Sequence, residues 1–167
     1  MRTHLFYLQH RDPKNPSGNL NAISRHTVCT PLLTAPCVIV EAQLFTDGVG
    51  PAVGFDIGYS QKGFREQNVL LATPKPYSSL IEADPVNSMD DPPGGIQSLP
   101  PGGGAYIDAG TAGQFRIPIR LYIPLAEQIV IALSAQNNGG AGTGSRFHWL
   151  LNVIEDVPPD CAYLLLG

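Results

Sequence analysis

From Gln114 to Ile123 every second residue is apolar: Phe115, Ile117, Ile119, Leu121 and Ile123 alternate with Gln114, Arg116, Pro118, Arg120 and Tyr122. A period of two puts one set on a buried face and the other on a wet one, the pattern of a half-buried strand. Pro118 lacks the N–H that an inner strand donates, so this strand is expected to lie at an edge or to bulge there. Nowhere does the chain sustain the 3.6-residue period of an amphipathic helix.

The same alternation recurs elsewhere. Cys37 to Thr46 sets Val38, Val40, Ala42 and Leu44 against Ile39, Glu41, Gln43 and Phe45. Asp47-Gly-Val-Gly-Pro51 reads as a turn, and Ala52 to Tyr59 then sets Val53, Phe55, Ile57 and Tyr59 against Asp56 and Gly58, so the two segments are expected to form a hairpin. Asn68 to Ala72 is a further short strand. Gln128 to Ser134 and Arg146 to Glu155 are expected to form a second hairpin through Asn137–Gly144, with Phe147, Trp149, Leu151 and Val153 on the inner face. Cys161 to Gly167 reads as a last strand or as an apolar tail fixed to a partner.

These segments predict an all-β chain, a two-sheet sandwich expected to be a jelly roll. Residues 27–167 form its one domain, and within them residues 74–105, with Pro92-Pro-Gly-Gly95 and Pro100-Pro-Gly-Gly-Gly104, read as a long surface loop. One short helical turn is expected near Ser78–Ala83. Residues 1–26 carry Pro13, Pro16 and Gly18 without a sustained period and read as an extended N-terminal arm. Its Leu5-Phe6-Tyr7-Leu8 cluster reads equally as a docking sequence and as the first strand of the domain's own sheet. Under the arm reading, its removal leaves the sandwich folded.

Charged residues make up 14% of the chain, against roughly 25% in ordinary soluble domains. Gly, Pro and neutral polar residues take their place, and such a surface can be buried on a partner without ionic desolvation. The net charge of −4 and the absence of a basic run argue against direct nucleic-acid binding. The N-terminus has no signal-peptide core, and no stretch has the apolar length of a membrane span, so the protein is expected to be made and kept in the cytoplasm unless it leaves as part of a larger particle. Cys29, Cys37 and Cys161 match no zinc or disulfide framework and read as mostly buried, reduced thiols, with a Cys29–Cys37 bridge as the alternative.

Catalytic patterns find no support. Gly139-Gly-Ala-Gly-Thr-Gly144 leads into a strand, whereas a phosphate loop leads into a helix. Asp108-Ala-Gly-Thr111 lacks the hydroxyl residue that supports an aspartic protease carboxylate. His4, His10, His26 and His148 contain no His-x-His pair of the cupin kind, and Asp84, Asp90 and Asp91 lack the spacing of a calcium loop. No Gly-x-Ser-x-Gly elbow occurs. The expectation is a protein that is not an enzyme and that holds no cofactor.

Phe55-Asp-Ile-Gly-Tyr-Ser60 with Gly63-Phe64, and Gly110-Thr-Ala-Gly-Gln-Phe-Arg-Ile-Pro-Ile119, resemble segments of small all-β jelly-roll virion proteins of tailed bacteriophages. The resemblance covers about residues 37 to 72 and 105 to 155. It implies a capsid decoration, or cement, protein that binds at junctions between capsid proteins, or a related head or tail accessory subunit. The partners implied are the major capsid protein or other virion proteins, together with further copies of the chain, a homotrimer being favoured. The expected contact residues are Leu5, Phe6, Tyr7 and Leu8 of the arm, and Tyr163, Leu164, Leu165 and Leu166 of the tail. The alternative is a tail or receptor-binding module that recognises cell-surface glycan, with Tyr77, Tyr106 and Trp149 as candidate stacking surfaces, though Trp149 is expected to face the core.

Overall fold

The computed structural model describes residues 1–10, 24–46, 53–61, 63–70, 74–81, 96–98, 105–107, 113–117, 120–123, 127–135, 146–158 and 160–161. They contain β1 (Arg2–Gln9), β2 (Ser24–Cys29), β3 (Cys37–Thr46), β4 (Val53–Ser60), β5 (Gln67–Leu70), β6 (Ser78–Ile81), β7 (Ile96–Ser98), β8 (Ala105–Ile107), β9 (Gly113–Ile117), β10 (Leu121–Ile123), β11 (Gln128–Ala135) and β12 (Phe147–Glu155). The first sheet runs β1-β12-β3, and β9 and β10 share the far side of β3. The second runs β5-β2-β11-β4-β8-β7, with β6 also on β4.

Strands β1, β2, β3 and β4 fall alternately in the two sheets, as do β11 and β12, so the chain crosses the sandwich between them. Among the described strands the first lies beside the last, and the second beside the penultimate. This is the strand order of a jelly roll. Neither expected hairpin forms, because alternation marks the face a strand buries without naming the strand it pairs with. β3 pairs with β12, and β4 pairs with β11.

Two more expectations change. The strand read as Gln114–Ile123 is two strands, β9 and β10, with Pro118 in the interval, and both pair with β3. Ser78–Ile81 is a strand rather than a helical turn, because it lies along β4 and draws its backbone partners from there. Within the 74–105 loop reading, Ile96–Ser98 is strand β7 and Ala105 begins β8; apart from these, β6 and residues 74–77, that segment lies outside the described residues.

Alternation holds along β12, where Phe147, Trp149, Leu151 and Val153 are all buried. It breaks in β3. Asn152 pairs with Glu41 but Val153 pairs with Ile39, so Val40 is an extra residue and the inward set changes from Cys37 and Ile39 to Ala42 and Leu44. Val38 consequently faces outward, where it is covered by Val157 together with Val40, Tyr122 and Ile154. The main core lies between the sheets, with Phe55 and Ile57 of β4 and Ile129, Ile131 and Leu133 of β11 facing the β12 residues. Leu33, from the β2–β3 connection, is also fully enclosed there.

Connections are pinned onto this frame by buried polar side chains. Gln128 accepts hydrogen bonds from the Gly63 and Phe64 N–H groups at 3.0 and 2.9 Å and donates to the Thr30 carbonyl at 2.8 Å. On β4, Asp56 accepts from Tyr77 and Ser79 hydroxyls at 2.9 and 2.8 Å and meets Lys75 at 3.0 Å. Burial raises the Asp56 pKa, with these partners opposing the shift. They hold residues 75–79 so close to β4 that a Cβ on Gly58 would lie 2.0 Å from the Ser78 carbonyl oxygen. We therefore expect Gly58→Ala to lower stability in urea unfolding by about 1–3 kcal/mol, the usual result of overpacking. Gly63→Ala is the comparison: it is strained by φ of 91° but meets no atom within 4 Å.

Candidate functional site

Among the described residues β1 forms the edge of the first sheet, and it pairs along its whole length with β12. Of the two readings of Leu5–Leu8, the strand is the one realised. Its even positions point inward: Leu8 is in the core, Phe6 packs against it, and His10 continues the phase beyond the strand. Its odd positions point outward, leaving Leu5 66% and Tyr7 60% exposed. Thus two of the four expected arm contacts, Leu5 and Tyr7, are available to a partner, while Phe6 and Leu8 are used by the fold. Tyr163, Leu164, Leu165 and Leu166 lie outside the described residues.

The outer face beyond β1 divides in two. Tyr7 lies opposite Leu150, and His148 lies opposite Phe45, all of them exposed or half-buried. The Tyr7 hydroxyl and the His148 Nδ1 are hydrogen-bonded. Towards β9 the face becomes polar: Gln114 donates to Gln43 at 2.9 Å, Gln43 donates to Glu41 at 3.0 Å, and Arg116 meets Glu41 at 3.2 Å. The opposite side of the sheet thus carries Arg116, exposed on β9. β1 carries neither a proline nor, after Arg2, a lysine, arginine or carboxylate, so it lacks the residues that usually discourage pairing at an edge.

Two polar clusters hold the ends of β1. At its start, Glu155 accepts from Thr34 N–H, from the Thr34 hydroxyl at 2.9 Å and from Ala35 N–H at 3.1 Å, while its other oxygen meets His4 at 2.7 Å. The Thr34 N–H leads the causes that lower its pKa to about 2, burial opposing them. At the other end His10 and His26 lie 4% and 2% exposed, their Nδ1 atoms 3.2 Å apart. Glu66 approaches His26 at 3.2 Å. Desolvation, with the neighbouring His26 and His148, lowers the His10 pKa well below 6.5. The His pair joins β1 to β2, and hence the two sheets; only the continued alternation from Phe6 and Leu8 to His10 signals it in the sequence.

The other sequence candidates scatter. Trp149 is fully buried and Tyr77 nearly so, so neither offers an open ring to a glycan; Tyr106 lies on β8. Cys29, Cys37 and Cys161 are free thiols. Burial, aided by Glu155, pushes Cys37 up to about 12. Cys29 is half-buried and, contrary to expectation, Cys161 is exposed. Asp84, Asp90, Asp91, Asp108–Thr111 and Gly139–Gly144 lie outside the described residues.

No protein-family model matches this chain, and no curated protein matches it. A solved structure of infectious bursal disease virus, Gx strain, is similar at 13% identity and a TM-score of 0.38, over 95% of this chain and 33% of that one. The chain thus spans a third of the length of the chain it matches, and at that score the likeness assigns no function.

Two pH effects are expected. A neutral buried His10 leaves the unfolded chain binding more protons, so stability falls as pH drops below about 6.5. Urea midpoints at about pH 7.5 and about pH 5.5 should differ, and His10→Gln should narrow the difference. The depressed Glu155 contributes stability that is complete above about 4.5 and lost as pH falls through about 2. Glu155→Gln should therefore lower neutral-pH stability by about 3 kcal/mol, measured by the same unfolding method.

Proposed function

We propose that this chain is a structural virion subunit, a capsid decoration protein that stabilises a phage head by binding at junctions between capsid proteins. The carrying observation is the pair Leu5 and Tyr7, exposed on an edge strand without gatekeeping charges after Arg2. Edge pairing would supply main-chain hydrogen bonds, and the two outward side chains would supply register and apolar area. The low charge content suits a surface that is buried on assembly. The jelly roll is a fold in common use among viral capsid proteins, and it also serves lectins and cupins, so the fold supports this reading without deciding it.

The partners are the major capsid protein or a neighbouring virion protein, and other copies of the chain. In a trimer, weak contacts made together would add through effective concentration, so each edge need contribute little alone. The location is the virion, and no catalytic role is assigned.

Because β1 is part of the sheet, the informative variants change its outer face and leave the strand in place. Leu5→Asp with Tyr7→Asp should keep stability within about 1 kcal/mol, as surface substitutions usually do. It should also abolish co-sedimentation with purified particles. Normal particle occupancy by the double variant would overturn the reading, and saturable binding of a glycan by the isolated chain would favour a receptor-binding role instead.

A further inference from the structure

Between β4 and the segment leading into β6 lies a cleft of about 340 Å³, lined among others by Tyr59, Gln61, Lys75, Tyr77 and Glu127. Its charges are unevenly matched. Lys75 is held by Asp56 at 3.0 Å and donates to Ser79 at 3.0 Å, so that pair is neutral overall. Glu127 is only 8% exposed, and its Oε2 is buried without a hydrogen-bond partner. The contrast with its neighbour is direct: Gln128, 6% exposed, spends both ends of its amide on Gly63, Phe64 and Thr30. The fold thus explains Gln128 and leaves the Glu127 carboxylate uncompensated. An unmatched buried carboxylate opposes folding, and a residue kept at that expense points to a ligand.

We propose that this cleft binds a primary alkylammonium group, the chemistry of a lysine side chain. A cation supplies the charge that Glu127 lacks. With Oε2 enclosed, the carboxylate has a single oxygen left to offer, which suits the point charge of an ammonium better than the two-pronged guanidinium. Tyr59, half-buried, forms a wall for the methylene stem, while Tyr77, which also lines the cleft, is held by its hydroxyl on Asp56 and by an edge-on contact with Phe64. A divalent metal is the poorer fit, since it takes six or more oxygen ligands, and no group of three His, Cys, Asp or Glu side chains able to hold one occurs among the described residues. The site is separate from the β1 edge and stands independently of the virion reading.

The experiment titrates the full chain with Nα-acetyl-lysine amide, and in parallel with the norleucine analogue, following amide shifts by NMR. Saturable shifts around Tyr59 and Glu127 are expected with the lysine compound alone. Glu127→Gln should weaken binding about tenfold or more, while being no less stable than the parent in urea. Absence of saturable binding, equal binding of norleucine, or unchanged binding by a folded Glu127→Gln would each overturn the proposal. The norleucine comparison uses the unaltered chain, so the proposal stays testable if the variant fails to fold.

Discussion

Trp149 on β12 meets Phe55 on β4 across the sandwich, with ring centroids 5.5 Å apart. These two rings are the largest fully enclosed side chains of their respective sheets. Everything placed around them, from Phe147 and Leu44 on one side to Ile57 and Ile131 on the other, packs at the spacing they set. The same contact orients β12, and β12 in turn carries β1 on one side and β3 on the other. The edge that bears Leu5 and Tyr7 is therefore aimed by the core.

Outside that core the molecule relies on buried polar groups to fasten its connections. Gln128 holds the turn at 63–64, Asp56 holds residues 75–79, and Glu155 holds the loop at 34–35. Each is placed on a strand, and each reaches a segment without a ladder of its own or just entering one. A chain rich in Gly and Pro has many such segments, whose backbone groups need partners wherever they are covered. The Glu127 carboxylate differs from all three: among the described residues its buried Oε2 has no hydrogen-bond partner.

Legibility from the sequence followed the reach of each signal. The inward residues of β12 and the pair Phe55 and Ile57 could be read from alternation, since the period is local and the strands are regular there. Strand partners could not, because pairing in a jelly roll joins segments distant in the chain. The bulge at Val40 was equally hidden: it exists only relative to β12. Among site residues, Leu5 and Tyr7 were visible as members of an apolar cluster, yet the pattern alone could not separate them from Phe6 and Leu8 until β1 had a sheet to lie in. Glu127 and Asp56 look like ordinary polar residues in isolation, and Asp56 is enclosed by residues 75–79, which the local pattern around it does not announce.

The pairing of β1 with β12 also bears on time. During synthesis β1 is made long before its partner, Tyr7 and His148 being 141 residues apart in the chain, so Leu5, Phe6, Tyr7 and Leu8 stay unpaired while the intervening residues are added. Through that interval the strand is open to chaperones and to the nascent chains of neighbouring ribosomes. An apolar strand whose partner lies so far along the chain thus makes biogenesis the stage at which this protein is most exposed to aggregation.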